Sequence, residues 1–213
     1  TKVVEAIDGS KLDNDLSKSY KPKLLHPHYP FSLRSAEVGC FQSHRKCWQE
    51  ILDRGLEAAL IIEDDVDIID GEFTAAIKLA MKEIKMGDLI RLPMKPREKP
   101  RNINVKRDNI SIFEPTVIGL GTQAQIVTYD AARQLLEKTA HFDRPIDVYL
   151  QLKWKHGVRV LTLWPNGVRE RSSSLGGSLI GKERSNGDKI RRELLGPLYR
   201  AKLNIYSRIN KRK

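Results

Sequence analysis

Long apolar segments and cysteine are both scarce in this sequence of 213 residues. No stretch approaches the roughly eighteen uninterrupted apolar residues of a membrane-spanning helix, and no signal-peptide pattern opens the sequence. The two cysteines, Cys40 and Cys47, lie seven residues apart in a predicted helix. That spacing separates them by about 10 Å, which is too far for a disulfide. The sequence therefore predicts neither a membrane span nor a disulfide framework, and two free thiols fit a reducing compartment.

Aromatic residues are also few, at 7% of the chain, whereas the formal net charge is +11. Residues 182–213 hold eleven Lys and Arg against three acids, so this segment alone carries +8 of that charge. A basic block indicates an anionic partner, such as nucleic acid, acidic lipid or a phosphorylated glycan. Because no aromatic platform is interleaved with these basic residues, we do not expect a nucleic-acid partner.

Apolar residues recur at roughly helical spacing inside the basic segment, for example at Leu194, Leu198, Leu203, Ile205 and Ile209. This pattern predicts a helix that lies on an anionic membrane surface. The alternative is a solvated or disordered tail. At 40% hydrophobic residues the rest of the chain can bury one sizeable core. We therefore predict one domain over residues 1–181 and a basic amphipathic tail over residues 182–213.

Helix and strand patterns alternate along the middle of the chain. Helices are predicted from about Ser35 to Gly55, over 72–85 and 131–138, and from Pro145 onward; strands are predicted over 58–62, 88–92, 110–113, 123–127 and 158–163. Segment 93–109 is rich in Pro, Lys and Arg and is predicted to be a long flexible loop. Its cations, together with Arg91, are expected to be solvated or to contact phosphates. The alternation predicts an α/β sandwich around one mainly parallel (mixed) sheet.

Four acids follow the first apolar strand within five residues: Glu63, Asp64, Asp65 and Asp67. In open α/β sheets, ligands bind outside the carboxyl ends of the strands. Crowded carboxylates repel one another, and a hard divalent cation removes that repulsion. If the strand continued, Asp65 and Asp67 would point to the same side, so they are candidate metal ligands, with Asp65 first and Glu63 as an alternative to Asp67. A solvated acidic turn that caps the next helix is the other interpretation.

Two motifs are specific enough to indicate a protein family. The first is Glu37-Val38-Gly39-Cys40-Phe41-Gln42-Ser43-His44, and the second is the apolar strand that ends in Glu63-Asp64-Asp65. With Asp8-Gly9, Gly121-Thr122-Gln123-Ala124 and Pro145-Ile146-Asp147, they resemble glycosyltransferase family 25 over roughly residues 5 to 180. Two departures are a Gln at 125, where the family usually has an aromatic residue, and the lack of an apolar strand ahead of Asp8-Gly9. Because the sequence begins at Thr1 without a Met, we expect that an N-terminal piece is missing.

The resemblance implies a GT-A-like α/β/α sandwich and an inverting transferase that uses a UDP-sugar with Mn²⁺ or Mg²⁺. It implies roles for nine residues: Asp147 as catalytic base, Asp65 and Asp67 at the metal, and Ser43, His44, Glu63, Asp64, Gly121 and Thr122 at the donor. Two residues have a structural alternative, since Asp147 could stabilise a helix N-terminus and His44 could be a core histidine. His141 and His156 are further candidates for a third metal ligand.

The resemblance further implies transfer of galactose in β-linkage from UDP-galactose to a lipooligosaccharide core acceptor. It places the protein in the cytoplasm, peripheral on the inner face of the inner membrane of a Gram-negative bacterium. From the residues alone, two other function classes remain open. Acids after a strand and a basic surface would also serve a metal-dependent phosphotransferase or nuclease. The charge alone would suit a basic nucleic-acid-binding module.

Overall fold

A computed structural model describes residues 1–12, 18–171 and 186–210, and the chain forms two compact units. Unit 1 comprises Thr1–Lys46, Lys138–Lys155 and Ser172–Lys213; unit 2 comprises Cys47–Glu137 and His156–Arg171. The domain boundary predicted between residues 181 and 182 lies outside the described residues. In the part of the chain that is described, no helix is both long and apolar enough to cross a bilayer. Cys40 and Cys47 are both free thiols, as predicted.

Six α-helices, one short 3-10 helix (Gly9–Lys11) and eight strands are found in the described segments. The helices are α1 (Ser35–Asp53), α2 (Asp70–Glu83), α3 (Tyr129–Lys138), α4 (Ile146–Leu150), α5 (Lys153–His156) and α6 (Asn186–Ile209). The strands are β1 (Ala58–Ile62), β2 (Val66–Ile68), β3 (Asp88–Arg91), β4 (Pro100–Arg107), β5 (Ile110–Pro115), β6 (Ala124–Thr128), β7 (Arg159–Trp164) and β8 (Val168–Glu170). Each of the predicted helices and strands is present, and the α/β class is confirmed.

Six of the strands form one sheet in the order β1-β6-β3-β7-β5-β4, while β2 and β8 form a separate antiparallel pair. Only β3 and β7 are parallel; the other four neighbouring pairs of the large sheet are antiparallel. The prediction of a mainly parallel sheet is therefore wrong. The apolar runs of β3 and β6 are covered on both faces. Such a run does not indicate the direction of the neighbouring strands.

The segment predicted as a long loop contains the strand β4, so that prediction is also wrong. β4 pairs with β5 across the two-residue turn Asp108-Asn109, with Arg107 opposite Ile110. Asp108 has a φ of 52°, a left-handed conformation that Asp tolerates better than most residues. Seven of the eight residues of β4 are exposed. Only Ile103 and Val105 alternate with polar residues, so the apolar pattern that predicts a strand is short here.

Helix α2 covers one face of the large sheet. Its buried residues Ala76, Leu79 and Ala80 pack in one cluster with strand residues such as Ile90 and Leu161. Successive strand residues point to opposite faces, so Leu89 and Val160, which are also buried, point away from α2. Unit 2 is thus built around a sheet whose central strands are covered on both faces.

Helix α6 belongs to the core of unit 1. Tyr199 and Leu203, at 7% and 3% exposure, pack in one cluster with Tyr29, Val148 and Leu152. The segment predicted as a basic amphipathic tail therefore includes a helix that buries one of its apolar stripes within unit 1.

A fully buried arginine fixes α6 in this position. Arg144 donates to the hydroxyl of Tyr199 at 2.7 Å and to the carbonyls of Leu25 and Pro27 at 2.8 and 3.1 Å. Its charge is balanced by the neighbouring carboxylate of Asp143, at 2.6 Å. A buried guanidinium is tolerated only when it is paired and hydrogen-bonded, and here both conditions are met.

Candidate functional site

The carboxyl end of β1 brings together two of the residues predicted to contact the donor. The hydroxyl of Thr122 donates to a carboxylate oxygen of Glu63 at 2.8 Å, and the Glu63 N–H donates to the carbonyl of Gln123 at 2.8 Å. β1 and β6 are antiparallel, with Ile62 opposite Ala124, so the residue after β1 faces the residue before β6. Thr122 is buried and Glu63 is half-buried, and their hydrogen bond fixes the direction of the Glu63 carboxylate.

The turn that leads into Thr122 is held by a buried ion pair. Arg91 donates to the carboxylate of Glu98, and both side chains are 3% exposed. Arg91 also donates to the carbonyl of Gly121 at 2.6 Å, while Glu98 accepts the N–H of Gly119. Gly121 has a φ of 98°, which only glycine adopts without strain. The ion pair thus positions the segment that carries Thr122.

The side chain of Arg91 is therefore buried. The expectation that Arg91 is a loop cation exposed to solvent or in contact with phosphate is wrong. The arginine ends β3, and the apolar run of that strand continues through it. By contrast, Lys95, Arg97 and Lys99 are exposed. Lys95 pairs with Glu170 at 2.9 Å, an ion pair whose two side chains are each more than half exposed.

Asp64 and Asp65 form a turn between β1 and β2. The strand ends at Ile62, so the alternation that was used to place Asp65 and Asp67 on one side does not run through these residues. β2 then pairs with β8, which brings Arg171 near the acids: its N–H donates to the carbonyl of Asp65 at 3.1 Å, and its guanidinium lies 3.9 Å from the carboxylate of Asp67. Asp65 and Asp67 are both exposed, and three further carboxylates lie near Asp65.

Partial burial raises the pKa of Asp65, and the negative charges of Glu63, Asp64 and Glu170 raise it further. This repulsion is the cost that a divalent cation would remove. Among the described residues, no third Asp, Glu, His or Cys converges with Asp65 and Asp67 to form a three-residue ligand group. The acidic turn therefore fits a cation that is held by one or two carboxylates and takes its remaining oxygens from a diphosphate and water.

Ser43 and His44 lie on α1 in unit 1. The Ser43 hydroxyl donates to the carbonyl of Gly39 at 2.8 Å and accepts the N–H of Ile7 at 2.8 Å, so it fastens the N-terminal segment to the helix. His44 is 4% exposed, which agrees with the alternative of a core histidine as well as with a role at the donor. A Cβ on Gly39 would lie 2.6 Å from the carbonyl oxygen of Ile7, so this contact requires glycine.

Asp147 is in the first turn of α4 in unit 1, after Pro145. One of its carboxylate oxygens accepts the N–H of Val148 at 2.7 Å, which is the contact expected if Asp147 stabilises the start of the helix. The side chain is half-buried, so part of it still meets solvent. The two histidines considered as metal ligands differ: His141 is exposed, whereas His156 is fully buried and accepts the N–H of Val158.

The family model for glycosyltransferase family 25 (LPS biosynthesis protein) matches residues 1–150. The chain belongs to glycosyltransferase family 25. This confirms the resemblance that was inferred from the two long motifs, and those motifs lie on α1 and at the end of β1.

Several relatives within family 25 are animal proteins. Human procollagen galactosyltransferase 2 is 46% identical over 93 residues, which is 41% of this chain and 14% of the relative. The mouse protein of the same name is 39% identical over 93 residues, or 41% of this chain and 15% of the relative. The bovine probable inactive glycosyltransferase 25 family member 3 is 30% identical over 165 residues, or 71% of this chain and 26% of the relative. The chain thus spans about a quarter or less of the length of these relatives.

Sequence reasoning missed two residues at this family 25 site. Glu98 lies in the Pro- and Lys-rich segment, where nothing in the sequence distinguishes it from a solvated loop acid. Arg171 follows β8 and reaches the acidic turn only because β8 pairs with β2. For Arg91 a signal existed, since a charged residue inside an apolar run is usually buried with a partner.

Proposed function

We propose that this chain transfers a hexose from a UDP-sugar to a glycan acceptor, with galactose in β-linkage as the favoured product. The observation that carries the proposal is the end of β1, where the Glu63–Thr122 hydrogen bond lies beside the acidic turn Asp64-Asp65. Family membership supports sugar transfer over the phosphotransferase and nucleic-acid alternatives. UDP-galactose is the donor we favour because the procollagen relatives are named galactosyltransferases.

Mn²⁺ or Mg²⁺ would be held by Asp65, with Asp67 as the second carboxylate. Such an ion supplies charge neutralisation for the leaving diphosphate. Glu63 and Thr122 orient the donor at the end of β1, and Gly121 lets the backbone turn beside them. Asp64 adds negative charge, which favours a bound cation. Ser43 holds the N-terminal segment of unit 1, and a role of His44 at the donor stays a prediction from the family motif.

Asp147 is the base in this proposal. Its carboxylate accepts the proton of the acceptor hydroxyl as that oxygen forms a bond to the anomeric carbon. The bond between the anomeric carbon and the diphosphate oxygen breaks on the opposite side, so the configuration inverts. The electron pair of that bond leaves with UDP. The hydrogen bond from Val148 orients the carboxylate at the start of α4.

Lipooligosaccharide is the acceptor we propose, because the family is described as containing LPS biosynthesis proteins. The procollagen relatives suggest a protein-linked acceptor as the competing possibility. Transfer of radiolabelled galactose to truncated lipooligosaccharide, with procollagen peptide as the comparison, separates the two. Because a relative is named as probably inactive, the assay must measure turnover and not only binding.

Binding of UDP tests the donor site directly. Calorimetry with UDP should show binding that requires Mn²⁺ in the wild type and is lost in Asp65→Asn. Glu57→Gln is the matched control, since it removes an exposed acid at the other end of β1. UDP binding that is independent of Mn²⁺, or equal in wild type and Asp65→Asn, would contradict the metal site. Asp147→Asn should retain UDP binding and lose transfer; an active Asp147→Asn would remove this residue from the role of base.

We further propose that α6 attaches the protein peripherally to an anionic membrane, as expected for a cytoplasmic enzyme on the inner face of a bacterial inner membrane. Leu194, Leu198, Ile205 and Ile209 are 56–68% exposed and share one face of the helix. Lys202 and Arg208, which neighbour Leu198 and Ile205 at spacings of four and three, are exposed as well. An apolar stripe with basic neighbours fits acidic lipid headgroups.

Co-sedimentation with phosphatidylglycerol vesicles tests the attachment. Binding should fall with added salt, should be weak on phosphatidylcholine, and should be lost when Leu198 and Ile205 are both changed to Glu. Met81→Glu with Met86→Glu is the matched control, because these residues of unit 2 are 54% and 58% exposed. Equal binding by the two double variants would contradict the assignment of this stripe.

A further inference from the structure

Unit 2 has a pocket of about 300 Å³ on the face of the sheet that points away from α2. Two rows of side chains across β4, β5 and β7 form its floor. In the first row Ile103 lies opposite Phe113 and Phe113 opposite Thr162; in the second, Lys106 lies opposite Ser111 and Ser111 opposite Trp164. Intervening residues such as Leu163 face α2 instead. Segment 93–100 forms the wall of the pocket.

The pocket borders the proposed donor site on two sides. Glu98 lines the pocket and also holds Gly119, in the turn that leads to Thr122. Lys95 lines the pocket as well and pairs with Glu170, whose charge acts on Asp65. The pocket is also close to the carboxyl ends of β3 and β7, the parallel pair of the sheet, where ligands of α/β sheets bind. All of these residues belong to unit 2.

The lining of the pocket suits a sugar ring. Trp164 and Phe113 supply flat apolar surface of the kind that packs against the C–H face of a pyranose, while Ser111 and Asn109 supply hydrogen-bonding groups. The indole N–H of Trp164 makes no hydrogen bond to another described residue. Lys106 likewise has no ion pair or hydrogen bond within the described residues, so its ammonium group remains available to an anion.

We propose that this pocket is the acceptor subsite and that it takes a pyranose stacked on Trp164, with an anionic substituent of the acceptor facing Lys106. The assignment of the bound sugar as acceptor rests on the proposed transfer function. Trp164 and Lys106 would set acceptor specificity, whereas donor affinity would depend on the residues around Glu63 and Asp65.

Saturation-transfer NMR tests the subsite with two probes, methyl β-glucopyranoside and methyl β-glucuronide, in the presence of UDP and Mn²⁺. Trp164→Leu should weaken both probes about tenfold, since stacking and apolar contact are lost. Trp164→Phe should retain most of the affinity because it keeps an aromatic face. Lys106→Ala should weaken only the glucuronide. Lys78→Ala, an exposed lysine on α2 and hence on the other side of the sheet, is the matched control.

The dissociation constant of UDP, measured on the same samples, should be unchanged in the Trp164 and Lys106 variants. Unchanged probe binding in Trp164→Leu, or no probe binding by the wild type, would overturn the proposal. If the probes bind through Trp164 but the wild type does not bind UDP, the pocket remains a sugar site. In that case the transferase proposal and the acceptor role fail together.

Discussion

Removing the charge of Glu98 should destabilise the protein strongly, although Glu98 lies in a segment that the sequence presents as loop. The side chains of Arg91 and Glu98 are each 3% exposed, so Glu98→Gln leaves a guanidinium in the interior without its counter-charge. Breaking a buried ion pair by removing one partner costs about 3–5 kcal/mol. For a chain of this length each kcal/mol corresponds to about 2–4 °C, so the thermal midpoint should fall by roughly 6–20 °C.

Thermal unfolding followed by circular dichroism measures this shift. Glu137→Gln is the matched control, because Glu137 pairs with Arg133 at 3.2 Å while both side chains are more than half exposed. Such a surface pair contributes less than about 1 kcal/mol, so the midpoint should move by at most a few degrees.

A double variant tests the cause. Arg91→Met combined with Glu98→Gln removes the unpaired charge and should be more stable than Glu98→Gln alone. The reasoning is refuted if Glu98→Gln and Glu137→Gln shift the midpoint equally. It is refuted as well if the double variant is the least stable of the three.

Three further predictions concern other parts of the molecule. Asp65→Asn should raise the thermal midpoint of the metal-free protein at neutral pH, because it removes repulsion among the acids of the turn; a lower midpoint would contradict this. Burial raises the pKa of Tyr199 from 10.0 to about 12, so the unfolded state ionises first and stability is lost as pH rises from about 10 to 12. Tyr199→Phe should flatten that alkaline loss in urea titrations, and an unchanged slope would contradict the assignment. Gly39→Ala should cost about 1–3 kcal/mol through its clash with the backbone, whereas Gly71→Ala, with nothing within 4 Å, should be near neutral in the same titrations.

The positions of most helices and strands could be predicted because local apolar patterns carry them, whereas β2, β4 and β8 were not predicted. Leu89-Ile90 in β3 and Ile126-Val127 in β6 are buried runs that stand out in the sequence. Pairing direction could not be predicted in the same way. It depends on which strands become neighbours, and β3 lies between β6 and β7, both far from it along the chain.

The residues of the candidate site that lie in a family motif could be predicted from the sequence. Those that reach the site only through tertiary contacts could not. Glu63 and Thr122 were both chosen from family motifs, and the structure joins them by a hydrogen bond. The alternation argument for Asp65 does not apply because β1 ends at Ile62, three residues before Asp65, so the choice of Asp65 as metal ligand stays a prediction. Glu98 had no local signal at all, since only its partner Arg91 makes its burial possible.

Helix α6 has a buried side and an exposed apolar stripe, and this has a practical consequence for experiments. Its buried side completes the core of unit 1 through Tyr199, Leu203 and the hydrogen bond from Arg144. Truncating the chain before Tyr199 would therefore produce a folding defect, and any loss of vesicle binding in such a truncation would be misread as loss of an anchor. Point substitutions on the exposed stripe keep these two effects apart.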